Sequence, residues 1–310
     1  GDYESIGTRA FAETAITRFT VPASVSSVEQ GAFYDVPTLV SLTVESYSSY
    51  DGYSYQNAFG SLGSLFGTSE TLSGWLNEHP SSSEEDYPYY TDTNGNILPK
   101  SLTELVLGNI AYLPTEFAQG ASFLCEVSLG FDVNDYSSYN DIGAYAFEGC
   151  TSLETLTLSG DYLYSIGNYA FANTALTDFV LPASVTSIGS GILSGTYLAS
   201  LTVGSVSGYN STAGILLLFG TSVPDSENAD AFYTVTYNSS RYYIPASLTS
   251  LTLQNVYGIP ERYAYGLASL TEADITTTAA GSIGDYAFAG CTSLVSFAVD
   301  GEFTQIGNYA

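Results

Sequence analysis

Positive charge is almost missing from this chain: five Lys plus Arg face 32 Asp plus Glu, a formal net charge of −27. A surface of that sign repels phosphate, which excludes nucleic acid as a partner and disfavours docking on anionic lipid. It attracts divalent cations, basic proteins or neutral glycans, and it keeps a sticky surface in solution. Histidine is reduced to one residue, His79, and no GxSxG, HExxH or P-loop is present. Triad hydrolysis and phosphate-loop chemistry therefore have no residues to use, so the chain is read as a non-enzyme without a cofactor. The three cysteines, Cys125, Cys150 and Cys291, are an odd number without a CxxC spacing. That excludes a disulfide framework and a legible zinc site. No apolar run is long enough to span a bilayer and no signal peptide is visible, so direct membrane insertion is not expected of this stretch.

What is abundant is repetition. A Leu-x-x-Leu-x-Leu pattern, with Ile, Val, Phe or Ala admitted, begins at Ile16, Leu39, Leu102, Leu124, Leu153, Leu176, Leu198, Leu248, Leu270 and Leu294. Most neighbours are 22 to 24 residues apart, one pair is 29 apart, and two gaps are much longer. The last two apolar positions are two residues apart, the period of a half-buried strand. Leu153, Leu156 and Leu158, and Leu248, Leu251 and Leu253, are such triplets, with Glu154, Thr155 and Thr157 facing outward. Between the triplets lies a second pattern, IGAYAF at 142–147, IGNYAF at 166–171 and IGDYAF at 283–288. Its core positions are Ile142 with Phe147, Ile166 with Phe171, and Ile283 with Phe288, and its Gly is expected to relax the backbone torsions. Pro22 and Pro182 directly follow triplets and should end their strands.

Each unit reads as one coil that cannot bury its own apolar face and must stack on its neighbours. Residues 1–310 are thus expected to be one mainly β leucine-rich-repeat solenoid of about ten 22–24-residue coils, roughly 50 Å long. A larger repeat is superimposed: VPASVSSVEQGAF at 21–33 against LPASVTSIGSGIL at 181–193, and LFGTS at 65–69 against LFGTS at 218–222. Two tandem modules, about 6–165 and 166–305, follow from it, with insertions at 45–97 and 204–243 that should each hold a short projecting hairpin. The chain opens and closes inside a repeat, which suggests a fragment of a longer protein.

Tyrosine, with 27 copies, is the strongest compositional signal for binding. The insertion residues Tyr47, Tyr50, Tyr53, Tyr55, Trp75, Tyr87, Tyr89, Tyr90, Tyr233, Tyr237, Tyr242 and Tyr243 are the contact candidates. Tyr supplies large apolar area with a polar tip at low entropic cost, but the same property anchors a small hairpin to a core. Asp92, Asn94 and Asn96 alternate like oxygen ligands of a calcium loop, although Gly95 is misplaced for an EF-hand and no bidentate Glu follows. An exposed Asn-Gly turn explains the same residues. Cys150 and Cys291 share a repeat position with Thr14, Val36 and Thr174, so they are read as packing groups.

The run IGxYAFxGCTSLxxLxL, at 142–158 and again at 283–299, and LPASVTSIG at 181–189, resemble bacterial leucine-rich repeats of the BspA type, also called the Treponema pallidum type. The resemblance covers nearly all of the chain outside the insertions. It implies a right-handed β-rich solenoid without long helices, extracellular or at a cell surface, that adheres to a protein or glycan ligand. A second expectation is structural: solenoid ends that are not capped invite end-to-end self-association into a filament, sheath or surface layer.

Overall fold

In the computed structural model, the residues described are 3–50, 55–67, 81, 83, 87–91, 95–132, 140–204, 214–222, 230–278 and 280–310. The apolar triplets form parallel strands that stack in register. One five-stranded sheet runs Arg18–Val21, Ser41–Val44, Glu104–Leu107, Glu126–Gly130, Thr155–Ser159. A second runs Asp178–Leu181, Ser200–Val203, Ser250–Val256, Glu272–Thr277, Ser296–Asp300. Alternation decides which side chains enter the core. Leu42, Leu105 and Val127 stand in line and are sealed from solvent, as are Leu201 and Leu251 in the second sheet. The residues between them, such as Thr43, Val106, Ser128, Thr202 and Thr252, line up on the outer face. Pro22 and Pro182 each come immediately after the last residue of a strand.

The Ile-Gly segments make a second, shorter ladder of Tyr112–Leu113, Asn140–Ile142, Leu163–Ile166 and Ser187–Ile188. The Phe residues that follow form a row of rings: Phe11 on Phe33 at 5.4 Å, Phe117 on Phe147 at 6.0 Å, and Phe147 on Phe171 at 5.9 Å between centroids. Aromatic pairs of this kind add about 0.5–1.5 kcal/mol beyond their buried area. The core lies between the strand face and this back wall. Leu153, Ile142, Phe147, Ile166, Phe171, Leu248, Leu251, Leu253, Ile283 and Phe288 are all buried in it, whereas Leu156 and Leu158 are only partly covered.

The Gly of the Ile-Gly pair has a different role from the one expected. Its torsions are ordinary; a Cβ on Gly143 would lie 2.4 Å from the Thr115 amide nitrogen, and on Gly167 2.4 Å from that of Ala144. Gly is required because the preceding coil's backbone passes where a methyl would sit. The left-handed torsion falls two residues later, on Tyr145 (φ 59°), Tyr169 (φ 56°) and Tyr286 (φ 57°). There the rings stack: Tyr145 on Tyr169 at 5.5 Å, and Tyr286 on Tyr309 at 5.2 Å.

The insertions are also less separate than expected. Residues 58–66 enter the back wall, with Val28 N donating to Ala58 O, Phe33 N to Leu65 O, and Leu62 N to Phe117 O. Residues 215–218 do the same in the second half, where Gly191 N donates to Leu217 O and Ile215 N to Tyr263 O. The two LFG copies therefore stand in for an Ala-Phe segment. The hairpins that flank them are Ser48–Tyr50 with Tyr55–Asn57, Tyr89–Thr91 with Ile97–Pro99, and Phe232–Tyr237 with Ser240–Pro245.

Truncating a ring in the back wall removes contacts on two neighbouring coils at once. Phe147→Ala is expected to cost about 3–5 kcal/mol in denaturant unfolding. Val295→Ala, at a side chain 88% exposed, should stay within about 0.5 kcal/mol.

Candidate binding surfaces

The insertion tyrosines divide according to what their rings touch. Tyr47 is fully buried; its Oη donates to Phe59 O at 2.9 Å, and its ring meets Phe59 and Phe117 edge-on. Burial raises its phenol well above the ordinary range. Ser48 ties the adjoining hairpin down: its Oγ donates to Asn57 Oδ1 at 2.8 Å and accepts from Ala111 N at 3.0 Å.

The next hairpin straddles neighbouring coils. Tyr89 donates its Oη to Asp35, Tyr87 packs edge-on against Tyr89, and both close over Ile97. Tyr90 lies 5.4 Å from Phe123, and Lys100 Nζ sits 5.9 Å from the same Phe123 ring. In the second half Phe232 meets Tyr197 at 5.6 Å, Tyr237 meets Tyr265 at 6.3 Å, and the Ser269 hydroxyl donates to Tyr233 Oη at 3.4 Å. Burial pushes the Tyr233 phenol up as well, against the hydrogen bond from Ser269. Asn238 (φ 46°) and Ser239 (φ 65°) make the tight turn whose twist suits a two-residue hairpin.

As contact residues, Tyr47, Tyr87, Tyr89 and Tyr242 are corrected: each is buried, because the hairpins need anchors to hold them on the solenoid. Tyr90, Tyr233, Tyr237 and Tyr243 are half-buried. Tyr50 pairs with Tyr55 across the first hairpin, while Tyr53 and Trp75 lie outside the described residues. So do Asp92 and Asn94 of the candidate calcium loop; Asn96 is described and buried. Among the described residues, no group of three His, Cys, Asp or Glu converges as metal ligands.

Phe123 and Tyr197 were not singled out by sequence, yet each receives a hairpin ring. Both occupy the residue before the triplet's first Leu, where Thr38, Ser101, Ser152, Ser247 and Ser269 stand in other coils. An aromatic at that position was the available signal.

The surface left open is the outer strand face. Its rows are made of small polar and acidic side chains: Glu104, Glu126 and Thr155 in the first sheet, and Asp178, Ser200, Ser250 and Glu272 in the second. Glu104 and Glu126 stand directly opposite each other on adjacent strands, a like-charge pair that a cation or basic group would relieve. On the back ladder, burial raises the Asp141 carboxyl, partly offset by the Ser165 hydroxyl that donates to it at 2.6 Å.

The thiols sit inside this frame. Cys150 is buried and donates Sγ to Ala118 O at 3.2 Å; Cys291 donates to Ala264 O at 3.3 Å. Burial pushes Cys150 up to about 12 and Cys291 up to about 11. At the same repeat position the hydroxyls of Thr14, Thr174 and Thr196 donate to nearby carbonyls. Cys125 is half-buried on the strand side.

In-register parallel strands backed by a wall of stacked Ile-Gly and Ala-Phe segments define a leucine-rich-repeat solenoid. The family model for the BspA type leucine rich repeat region matches residues 2–66, 129–212 and 229–310, in six copies. The chain belongs to that family. No curated protein matches. Among solved structures, a leucine-rich repeat protein from Bacteroides ovatus is 19% identical over 98% of this chain and 78% of its own, with a TM-score of 0.38. A leucine rich cell surface protein from Faecalibacterium prausnitzii is 19% identical over 97% and 72%, at 0.35. The T. pallidum leucine-rich repeat protein is 19% identical over 73% and 85%, at 0.33. Likeness at this level concerns the fold alone. No helix among the described residues is long and apolar enough to cross a membrane.

Two outcomes follow from the buried groups. In the native chain iodoacetamide at pH 8 should label Cys125 and spare Cys150 until denaturant is added; peptide mass mapping reads this. For Asp141 the folded-state pKa lies above the unfolded one, so its contribution to stability falls as pH rises between them. Asp141→Asn keeps an acceptor for Ser165 without the charge. It should raise the melting temperature at pH 7 and leave it unchanged at about pH 3, where Asp141 is itself neutral.

Proposed function

We propose that this chain is a non-catalytic recognition module, extracellular or at a cell surface, that binds a protein or a glycan. The observation that carries this reading is the open strand face: an in-register array of Ser, Thr, Glu and Asp held by a sealed core, with aromatic-anchored hairpins beside it. A surface fixed before the partner arrives loses little conformational entropy on docking. The acidic rows favour a partner with basic or hydroxyl-rich groups. The family resemblance supports the setting outside the cell.

A second reading, end-to-end assembly, draws on the apolar side chains open at the outermost coils. Ile306 is 69% exposed and Val299 39%, and at the other end the half-buried Phe11 and Phe19 line a hollow of about 350 Å³. A further coil, or another copy, would cover them.

Glycan arrays and immobilised basic matrix proteins test the first reading. Thr202→Arg with Thr252→Arg on the strand face should weaken saturable binding at least tenfold, as a bulky cation there blocks the rows. Binding unchanged by that pair, and by Glu104→Lys with Glu126→Lys, would remove the strand face from the mechanism. Light scattering at high concentration separates the second reading: a strict monomer argues against assembly.

A further inference from the structure

The two five-stranded sheets meet without bonding to each other. Elsewhere on the strand face, two consecutive amides at the head of each strand donate to one carbonyl of the preceding coil. Cys125 and Glu126 donate to Thr103 O, Glu154 and Thr155 to Cys125 O, and Ala199 and Ser200 to Thr177 O. The repeat sets Thr177 and Asp178 opposite Glu154, and among the described residues that pair of bonds is not made.

The far end of the strand supplies the reason. In three other coils the amide just past the strand also donates backward: Glu45 to Val21 O at 3.0 Å, Gly108 to Val44 O at 2.8 Å, and Gly204 to Leu181 O at 2.8 Å. Past Leu181 the residue is Pro182. It has no N–H, and its ring carbon takes the place of the donated hydrogen. Proline is tolerated where the missing donor faces away from a partner strand, which makes Asp178–Leu181 an edge strand in the middle of the array. Pro22 holds the same position on Arg18–Val21, the end strand of the first sheet.

The consequences are visible on both sides of the seam. Leu156 and Leu158 are only partly covered, whereas Leu105, Val127, Leu201 and Leu251 are sealed. Val180 is 61% exposed, while Thr202 and Thr252, in register with it, are half-buried. Behind the seam the back wall is closed. Phe147 N donates to Ala170 O and Gly189 N to Ile166 O, both at 2.8 Å, and the Phe147–Phe171 and Tyr145–Tyr169 rings are stacked.

We infer that this seam is a hinge: two five-stranded bodies are joined by an intact back wall, and they pivot about it, opening and closing the strand face over Leu156, Leu158 and Val180. Pro182 keeps the seam from zipping shut. The pivot alters the curvature of the strand face, and the inference stands whether or not that face binds a ligand.

Residue-resolved amide hydrogen exchange on the full chain tests it. The amides of Thr177 and Asp178 should exchange at least about tenfold faster than those of Ala199 and Ser200, which occupy the same positions one coil on. Pro182→Ala restores the donor and removes the ring carbon. It should slow exchange at Thr177 and Asp178 by a similar factor, while Pro22→Ala leaves those amides unchanged. Equal protection of the two sets in the unaltered chain would overturn the hinge, and so would fast exchange that persists in a folded Pro182→Ala protein. Should that variant fail to fold, the comparison within the unaltered chain still decides.

Discussion

Everything in this molecule depends on burial between coils. A single coil leaves both edges of its apolar interior open, so Leu105, in line with Leu42 on one side and Val127 on the other, is sealed only within the stack. The hydrogen bonds obey the same geometry, since most backbone donors of a coil find their acceptors in the neighbouring one. Stability is therefore a sum over interfaces, and it is lost at any place where an interface is incomplete. Among the described residues the strand face has one such place inside the array, between Thr155–Ser159 and Asp178–Leu181, and open faces at the outermost coils.

That dependence explains why so little charge is needed inside and so much is tolerated outside. The described residues contain one salt bridge, Arg262 with Glu261, and two further cations rest on rings, Arg9 on Tyr34 and Lys100 on Phe123. A net charge of −27 works against compaction through self-repulsion, but it is spread along an elongated array and screened by salt. The fold leans on aliphatic and aromatic packing, and the acidic groups are left to the solvent-facing surface.

Much of this was legible beforehand. A period of two within the triplets, and a spacing of 22 to 24 residues between them, lead directly to stacked parallel strands because few other folds bury that pattern. Three features were not legible for physical reasons. Alternating tyrosines serve equally as anchors and as contacts, and only the position of Phe123 and Tyr197 on the solenoid shows that Tyr90 and Phe232 are anchored. The long gaps look like insertions because they break the spacing, although the repeated LFG marks a segment with the same back-wall role as Ala-Phe. The consequence of Pro182 depends on which way its nitrogen faces, which is a property of the stack and not of the local sequence. The Gly of Ile-Gly teaches the same lesson, since its requirement comes from the backbone of the coil before it.

The tyrosines at left-handed torsions carry a consequence for how such an array is put together. Tyr145, Tyr169, Tyr286 and Tyr309 each hold a backbone shape that disfavours an ordinary side chain by about 1–2 kcal/mol. In all four, another ring lies flat against the side chain and offsets part of that cost. An isolated unit has no reason to take up the shape at all. Conformation is thus borrowed from the adjoining unit, so order spreads along the chain by contact, and a lone fragment of one turn would be a random coil.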